Sequence, residues 1–236
     1  HDGVCQSGLY LVEKHKEFLE HLLSESGRSS IRIQLIGHSL GAGAAAIATM
    51  EFNKLDNIEA TCIGFGCPAL VTEELSKACE KQITTVVCDG DCVARMSKAT
   101  VRNLILDVMS YDWTEKGILD VKELLSVLQK NTPFDIPDDK ISDAIGWVTD
   151  YLKKDLKPDI EKIEKERSKV ELFPPGKIVH MFRDGAGISA RYVPCTFFDQ
   201  MDVCRTMVND HLISTGYNLV FHDFLRQHTK NSRFVF

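Results

Sequence analysis

No apolar run in this 236-residue chain approaches the roughly 20 residues that cross a bilayer, so a membrane-spanning helix is excluded from the sequence as it stands. No signal peptide opens it. Positive charge is in deficit: 28 Lys and Arg stand against 34 Asp and Glu, a net charge of −6, which speaks against a nucleic-acid binder. There is no Gly-Lys-Ser/Thr to make a phosphate loop. The two cysteines of "CDGDC", Cys88 and Cys92, are too closely spaced for zinc and have no second pair. The other six (Cys5, Cys62, Cys67, Cys79, Cys195 and Cys204) are scattered, so the chain lacks the pattern of a small disulfide framework. Reduced thiols in an intracellular setting are expected. No internal repeat is visible. What remains is 44% hydrophobic residues, enough for one sizeable globular core.

The most informative stretch is "LIGHSLGAGAAA", Leu35 to Ala46. Before it, "IRIQLI" alternates β-branched residues with Arg32 and Gln34, which predicts a strand. After it, "GAGAAAIATMEF" is small, then apolar, and free of proline, which predicts a helix to about Phe52. Strand, tight turn and helix with G-x-S-x-G at the turn form the nucleophile-elbow pattern. Ser39 is then a candidate nucleophile in a strained conformation, with Gly37 and Gly41 keeping side chains out of the strand–helix crossing. The helix N-terminus adds backbone N–H groups and a positive dipole end. The Leu40 N–H is the candidate oxyanion donor. The alternative is a glycine-rich turn around a buried serine.

Around this elbow the chain alternates strands and helices, which predicts a mostly parallel sheet. An amphipathic helix is expected over residues 5–26, with Leu11, Phe18, Leu22 and Leu23 on one face. Strands are expected at 31–36, 60–65, 82–88 and 176–184. Thr72 is a cap candidate for a short helix between the second and third. Between the third and fourth lies an excursion from about Lys98 to Pro175. It holds a helix with Val101, Leu104, Ile105 and Val108 on one face. A second follows over 113–130, through Ile118, Val121, Leu125 and Leu128. A third begins at Asp138 or Asp139 and carries Ile141, Ile145, Val148 and Leu152. Residues 153–171 are dense in mixed charge. A final helix is expected from about His211 to Gln227.

A serine hydroxyl needs a histidine base, and the histidine needs an acid to fix its tautomer. On an elbow fold the chain order is Ser, Asp or Glu, His. After the third strand, "VVCDGDCVA" offers Asp89 and Asp91. For the base, His211 is preferred because it follows a long loop and precedes the final helix. His180 lies within a strand, His222 and His228 within a helix, and the His38 side chain is expected to point away from the Ser39 hydroxyl. Such chemistry requires no metal or organic cofactor.

Together "IGHSLGAGAAA", "VVCDGDCVARMS", "VNDHLISTGY" and "HDGVCQSGLYL" resemble the class 3 lipase family of α/β-hydrolases. The details most resemble sn-1-specific diacylglycerol lipases, through "GHSLGAG", "RNLILDVMS" after the acid, the long insertion and "PPGKIVHMF". The resemblance implies an α/β-hydrolase fold: a mostly parallel sheet flanked by helices in a single domain over 1–236, with a helical, charged insertion at 98–175. It implies Ser39 as nucleophile, Asp91 as acid through the likeness of "DCVAR" to Asp-x-Val-Pro-Arg, and His211 as base. Ala94 stands where the family has proline. It also implies a second oxyanion donor in an earlier phenylalanine–arginine–glycine-like segment. That segment is not in this sequence, which opens on His1, so a fragment without its N-terminal strands is expected. Such a fragment would be poorly soluble or associated and nearly inactive on diacylglycerol.

The expected substrate is a lipid ester, an acylglycerol above all. Contact with a membrane surface is expected, aided by Trp113, Phe134 and Trp147 if these are not core residues. The insertion is either a lid or a helical decoration. Cytoplasmic or membrane-associated localisation follows. The competing readings are a phospholipase A1 or galactolipase on the same scaffold, and a catalytically inactive lipase-like binding module.

Overall fold

A computed structural model describes residues 2–131, 137–154, 165–185 and 187–229. The chain divides into two compact units, His1–Val101 with Lys169–Phe236, and Arg102–Ser168.

The first unit is built on five strands: β1 (Ile31–His38), β2 (Ile58–Phe65), β3 (Ile83–Cys88), β4 (Lys177–Asp184) and β5 (Gly187–Val193). They lie in the order β1-β2-β3-β4-β5. The first four are parallel, and β5 folds back antiparallel on β4, pairing Ile178 with Val193 and Asp184 with Gly187. The sequence reading stopped at four strands. In β5, "GISARYV", only Ile188 is buried, so the strand has no apolar alternation to announce it and owes its form to the hairpin. Helices on the sheet make this a mixed α/β architecture, consistent with the expected α/β-hydrolase-like fold.

Helix α2 (Leu40–Phe52) follows β1 directly. Its Ala42, Gly43, Ala44, Ala45, Ala46 and Ala48 are all buried. These small residues let α1 (Asp2–Ser26) settle very close: a Cβ on Gly43 would lie 2.7 Å from Val4, and one on Gly8 would lie 2.6 Å from Ile47. The contact turns α1 away from the face expected for it. Val4, Gly8 and Leu19 are buried and Leu11 and Val12 pack against the core, while Phe18 stands 58% exposed and Leu22 is exposed too. Closest approach at Gly8 selects the docked stripe, and a search for large apolar residues gives glycine no weight.

Strand β2 shows how the sheet divides its sides. Ile58, Ala60 and Cys62 join clusters with α2, whereas Ile63 and Phe65 pack with Val86, Met181, Ile188 and Val220. Helix α3 (Glu73–Ala78) is capped as expected, the Leu75 N–H donating to Thr72 Oγ1 at 3.3 Å. At the far end a short α7 (Met207–His211) precedes the helix expected from about His211, which is a π-helical turn (Ile213–Tyr217) leading into α8 (Asn218–Thr229). Leu212 is extended between them, and Gly216 fits so tightly that a Cβ there would lie 2.4 Å from the Asp210 carbonyl.

The second unit holds most of α4 (Lys98–Ser110), with α5 (Thr114–Asn131) and α6 (Asp138–Lys154), the last two packed on each other. In α4 the buried residues are Thr100 and Leu106, while Ile105 and Val108, expected to share a face with Val101 and Leu104, are exposed. Asn103 decides the orientation: its amide accepts from the Ser168 N–H at 2.8 Å and donates to the Ser168 carbonyl at 2.9 Å. Ile118, Val121, Ile141, Ile145 and Val148 are half-buried, in line with the helical spacing. Trp113 and Trp147 are not core residues, being 46% and 69% exposed. Phe134 and the charged residues 155–164 lie outside the described residues, as do the side chains of Leu125, Leu128 and Leu152.

Candidate active site

The turn after β1 carries Ser39 at φ 57°, ψ −128°, a conformation that costs an L-residue energy and that the surroundings must enforce. They do so from both sides. The Ser39 N–H continues the β-ladder to the Phe65 carbonyl at 2.9 Å, and its own carbonyl accepts from Ala42 and Gly43 at 3.0 and 3.2 Å, opening α2. Gly37 is obligatory here, since a Cβ would lie 2.4 Å from the Gly41 carbonyl. Gly41 is not: a Cβ there meets nothing within 4 Å, against the steric role expected of it. Leu40 begins α2, where a backbone N–H has no helical acceptor.

Asp91, in the loop after β3, and His211, at the end of α7, come to this serine from positions 120 residues apart. The Asp91 N–H donates to the Cys88 carbonyl at 2.9 Å, so the chain turns sharply after β3. The fully buried Asp91 carboxylate then faces His211, its two oxygens 3.0 and 3.1 Å from Nδ1. The far ring nitrogen, Nε2, lies 2.8 Å from Ser39 Oγ. With the proton on Nδ1 donated to Asp91, Nε2 is free to accept the serine hydroxyl proton. All three residues singled out from the sequence therefore meet.

The two aspartates left open by the sequence separate cleanly. Asp89 sits at φ 46° and pairs with Arg183, and its carbonyl accepts from the His180 ring at 3.0 Å. The buried His180 is thus a structural strand residue, its pKa lowered by desolvation. His222 and His228 lie exposed on α8. His38 does not contact the Ser39 hydroxyl; its ring stacks 4.7 Å from that of His211 and its Nε2 donates to the His211 carbonyl at 2.7 Å.

Two further groups complete the site. The Tyr217 hydroxyl donates to Asp91 Oδ2 at 2.8 Å and accepts from the Cys88 N–H at 3.3 Å. Burial, reinforced by the Asp91 charge, pushes the Tyr217 phenol well up, so it stays a donor. It sits in the π-helical turn six residues after His211, a kind of turn that recurs at functional sites. Gly66, at φ 59°, occupies the floor beneath the histidine–aspartate pair: a Cβ would lie 2.7 Å from Asp91 Oδ2 and 2.9 Å from His211 Nδ1. In the sequence Gly66 is only the residue that follows the expected strand 60–65. Only its position after β2 hints at more.

The class 3 lipase model matches residues 1–101. Over that span the chain is similar to the class 3 lipase family. The matched span contains the elbow and Asp91, and His211 lies beyond it. Diacylglycerol lipase-alpha of Homo sapiens is similar at 22% identity over 250 residues, covering 95% of this chain. The chain spans 23% of that relative's length. No solved structure matches it.

All eight cysteines of the chain are unpaired. Burial pushes the Cys62 thiol up to about 11 and the Cys88 thiol up to about 12, so both act as small apolar side chains.

Proposed function

We propose that this chain carries the machinery of a serine hydrolase cleaving an acyl ester of a glycerolipid, diacylglycerol above all. The observation that carries the reading is the relay Asp91–His211–Ser39, with heavy-atom separations of 3.0 and 2.8 Å. The class 3 lipase family supports lipase-type ester hydrolysis, and the similarity to a diacylglycerol lipase supports the substrate class.

Ser39 Oγ attacks the ester carbonyl while His211 Nε2 takes its proton, and Asp91 stabilises the imidazolium that forms. The Leu40 N–H and the α2 N-terminus face the developing oxyanion. Collapse of the tetrahedral adduct expels the alcohol, which collects the proton from His211, and leaves the acyl group on Ser39. His211 then takes a proton from water, whose oxygen attacks the acyl carbonyl, and Ser39 departs with that proton. The strained Ser39 backbone belongs to this scheme, because it is where a projecting hydroxyl is made at the expense of local stability. The exposed Trp113 and Trp147 support contact with a membrane surface, where such a substrate resides. Membrane association, and a lid or regulatory role for residues 98–175, are parts of the same proposal.

The test is labelling of the purified protein by a fluorophosphonate, with turnover of diacylglycerol, phospholipid and galactolipid vesicles measured in parallel. Ser39→Ala is expected to abolish labelling and lower turnover about 10⁶-fold. Near-normal hydrolysis by that variant overturns the assignment. Absence of any labelling in the wild type favours a binding module, and faster turnover of phospholipid or galactolipid reassigns the substrate.

A further inference from the structure

Asp210, directly before His211, is 2% exposed, and burying a carboxylate requires partners. It has two. Oδ2 accepts the Gly90 N–H at 3.2 Å, and Oδ1 accepts from Arg183 Nη1 at 3.1 Å. Gly90 is the residue before Asp91. The same Arg183 nitrogen donates to Asp89, and the Arg183 backbone N–H reaches Asp89 Oδ1 at 3.4 Å. Asp89 in turn is fastened to β4 by its N–H to the Met181 carbonyl at 2.6 Å and by its carbonyl to the His180 ring. Asp89, two residues before the acid, and Asp210, immediately before the base, are therefore tied to one guanidinium at the end of β4, and Gly90 is tied to Asp210.

We infer that Arg183 is a positioning residue, which holds the Asp91 loop and the His211 segment in register through a clamp of Asp89, Gly90 and Asp210. The inference rests on the serine-hydrolase reading. Arg183 touches neither Ser39 nor the histidine ring, so its effect is on geometry. Being 44% exposed, its pair with Asp89 alone would carry little. The pair with Asp210 is different because that carboxylate is buried: without the guanidinium an uncompensated charge is left inside, and its cheapest escape is toward water. His211, one residue on, moves with it. A misplacement of about 1 Å in a catalytic group can cost on the order of 10²-fold in rate.

The experiment compares Arg183→Met, Arg183→Lys, Asp210→Asn and the double variant R183M/D210N with wild type in the full-length protein. Active sites are counted by fluorophosphonate titration, so that rates are per competent molecule. Arg183→Met is expected to lower kcat about 10²-fold with KM nearly unchanged, and Arg183→Lys to restore part of it. The double variant, which removes the stranded charge but also the clamp, should recover about tenfold over Arg183→Met and remain below wild type. A second readout does not depend on turnover: the downfield proton resonance of the His211–Asp91 hydrogen bond, assigned by its loss in Asp91→Asn, should shift or broaden in Arg183→Met. Wild-type kcat per site in Arg183→Met, or an unmoved resonance, overturns the clamp while leaving the hydrolase reading intact. If Arg183→Met does not fold, wild-type kcat in the folded double variant overturns it equally. Hydrolysis that survives Ser39→Ala overturns the hydrolase reading instead, and the resonance then still decides the clamp.

Discussion

Asp89 and Asp91 differ by one intervening glycine and by everything that surrounds them. Asp91 is dry, and it takes hydrogens from Val93 N–H at 2.8 Å, from Tyr217 and from His211. Asp89 leans outward to Arg183. Asp91→Asn should therefore cost about 10⁴-fold in kcat by permitting the wrong histidine tautomer, and Asp89→Asn far less. The reverse ranking in steady-state kinetics would make Asp89 the acid. Tyr217→Phe strips Asp91 of a donor and the Cys88 N–H of its acceptor. A loss of about 1–3 kcal/mol in chemical denaturation is expected, because a buried donor goes unpaired. Gly66→Ala is the sharpest geometric test. The new methyl enters beneath the His211–Asp91 hydrogen bond at a positive φ, so kcat should fall about 10²-fold. Unchanged activity in a folded Gly66→Ala protein would mean that the floor of the site gives way easily.

Between elements, glycine is decisive in a different way. Gly8 is the point where α1 meets α2, and Gly3, on the same helix, faces open space. Gly8→Ala should destabilise by about 1–3 kcal/mol through overpacking against Ile47. Gly3→Ala should stabilise by up to about 1 kcal/mol through helix propensity and a stiffer unfolded chain. Equal melting temperatures for the two variants would show that the helices are not in such close contact. The strands of the parallel sheet were legible because β1 and β2, with one side more buried than the other, leave alternating apolar runs, and β3, buried nearly throughout, leaves a continuous one. β5 was not, because it is half-exposed and exists through its partner. The short α7 before Leu212 and the π-helical turn at the head of the last helix were equally hidden. They follow from Gly216 packing under α7 and from Tyr217 reaching Asp91, both of them contacts between distant or tightly folded segments.

For the whole molecule, the second unit is the informative piece. Asn103 and Ser168 are hydrogen-bonded to each other, so the two ends of residues 102–168 emerge side by side. Replacing that segment by a short flexible linker should leave the sheet unit folded and Ser39 reactive to a fluorophosphonate, while binding to neutral lipid vesicles falls. Circular dichroism, labelling and vesicle sedimentation read the three quantities. Loss of folding would show that the two units are not separable, and undiminished vesicle binding would free the exposed Trp113 and Trp147 of that role. Thiol chemistry gives a further check of the fold. Cys204 is exposed, Cys5 half-buried, and the other six buried, with Cys62, Cys67, Cys79, Cys88 and Cys92 pushed up by desolvation. Because the thiolate is the reactive form, a native protein near pH 8 should show one fast thiol, lost in Cys204→Ser, and the buried ones only in denaturant.

Local chemistry was enough to mark Ser39, the pair Asp89 and Asp91, and His211 as candidates, and the family resemblance picked Asp91 from the pair. The elbow writes its steric demands into adjacent residues, and the order of acid and base along the chain follows from the order of the strands. The mostly parallel sheet was likewise written in β-branched runs. Which face of α1 docks, that Gly41 is free while Gly66 is not, that His38 and Tyr217 reach the base and the acid, and that Arg183 pairs with both Asp89 and Asp210 were decided by tertiary structure alone. The reason is physical: each of those roles is a contact between segments far apart in sequence or a clash avoided by a missing side chain. Neither leaves a period or a spacing along the chain.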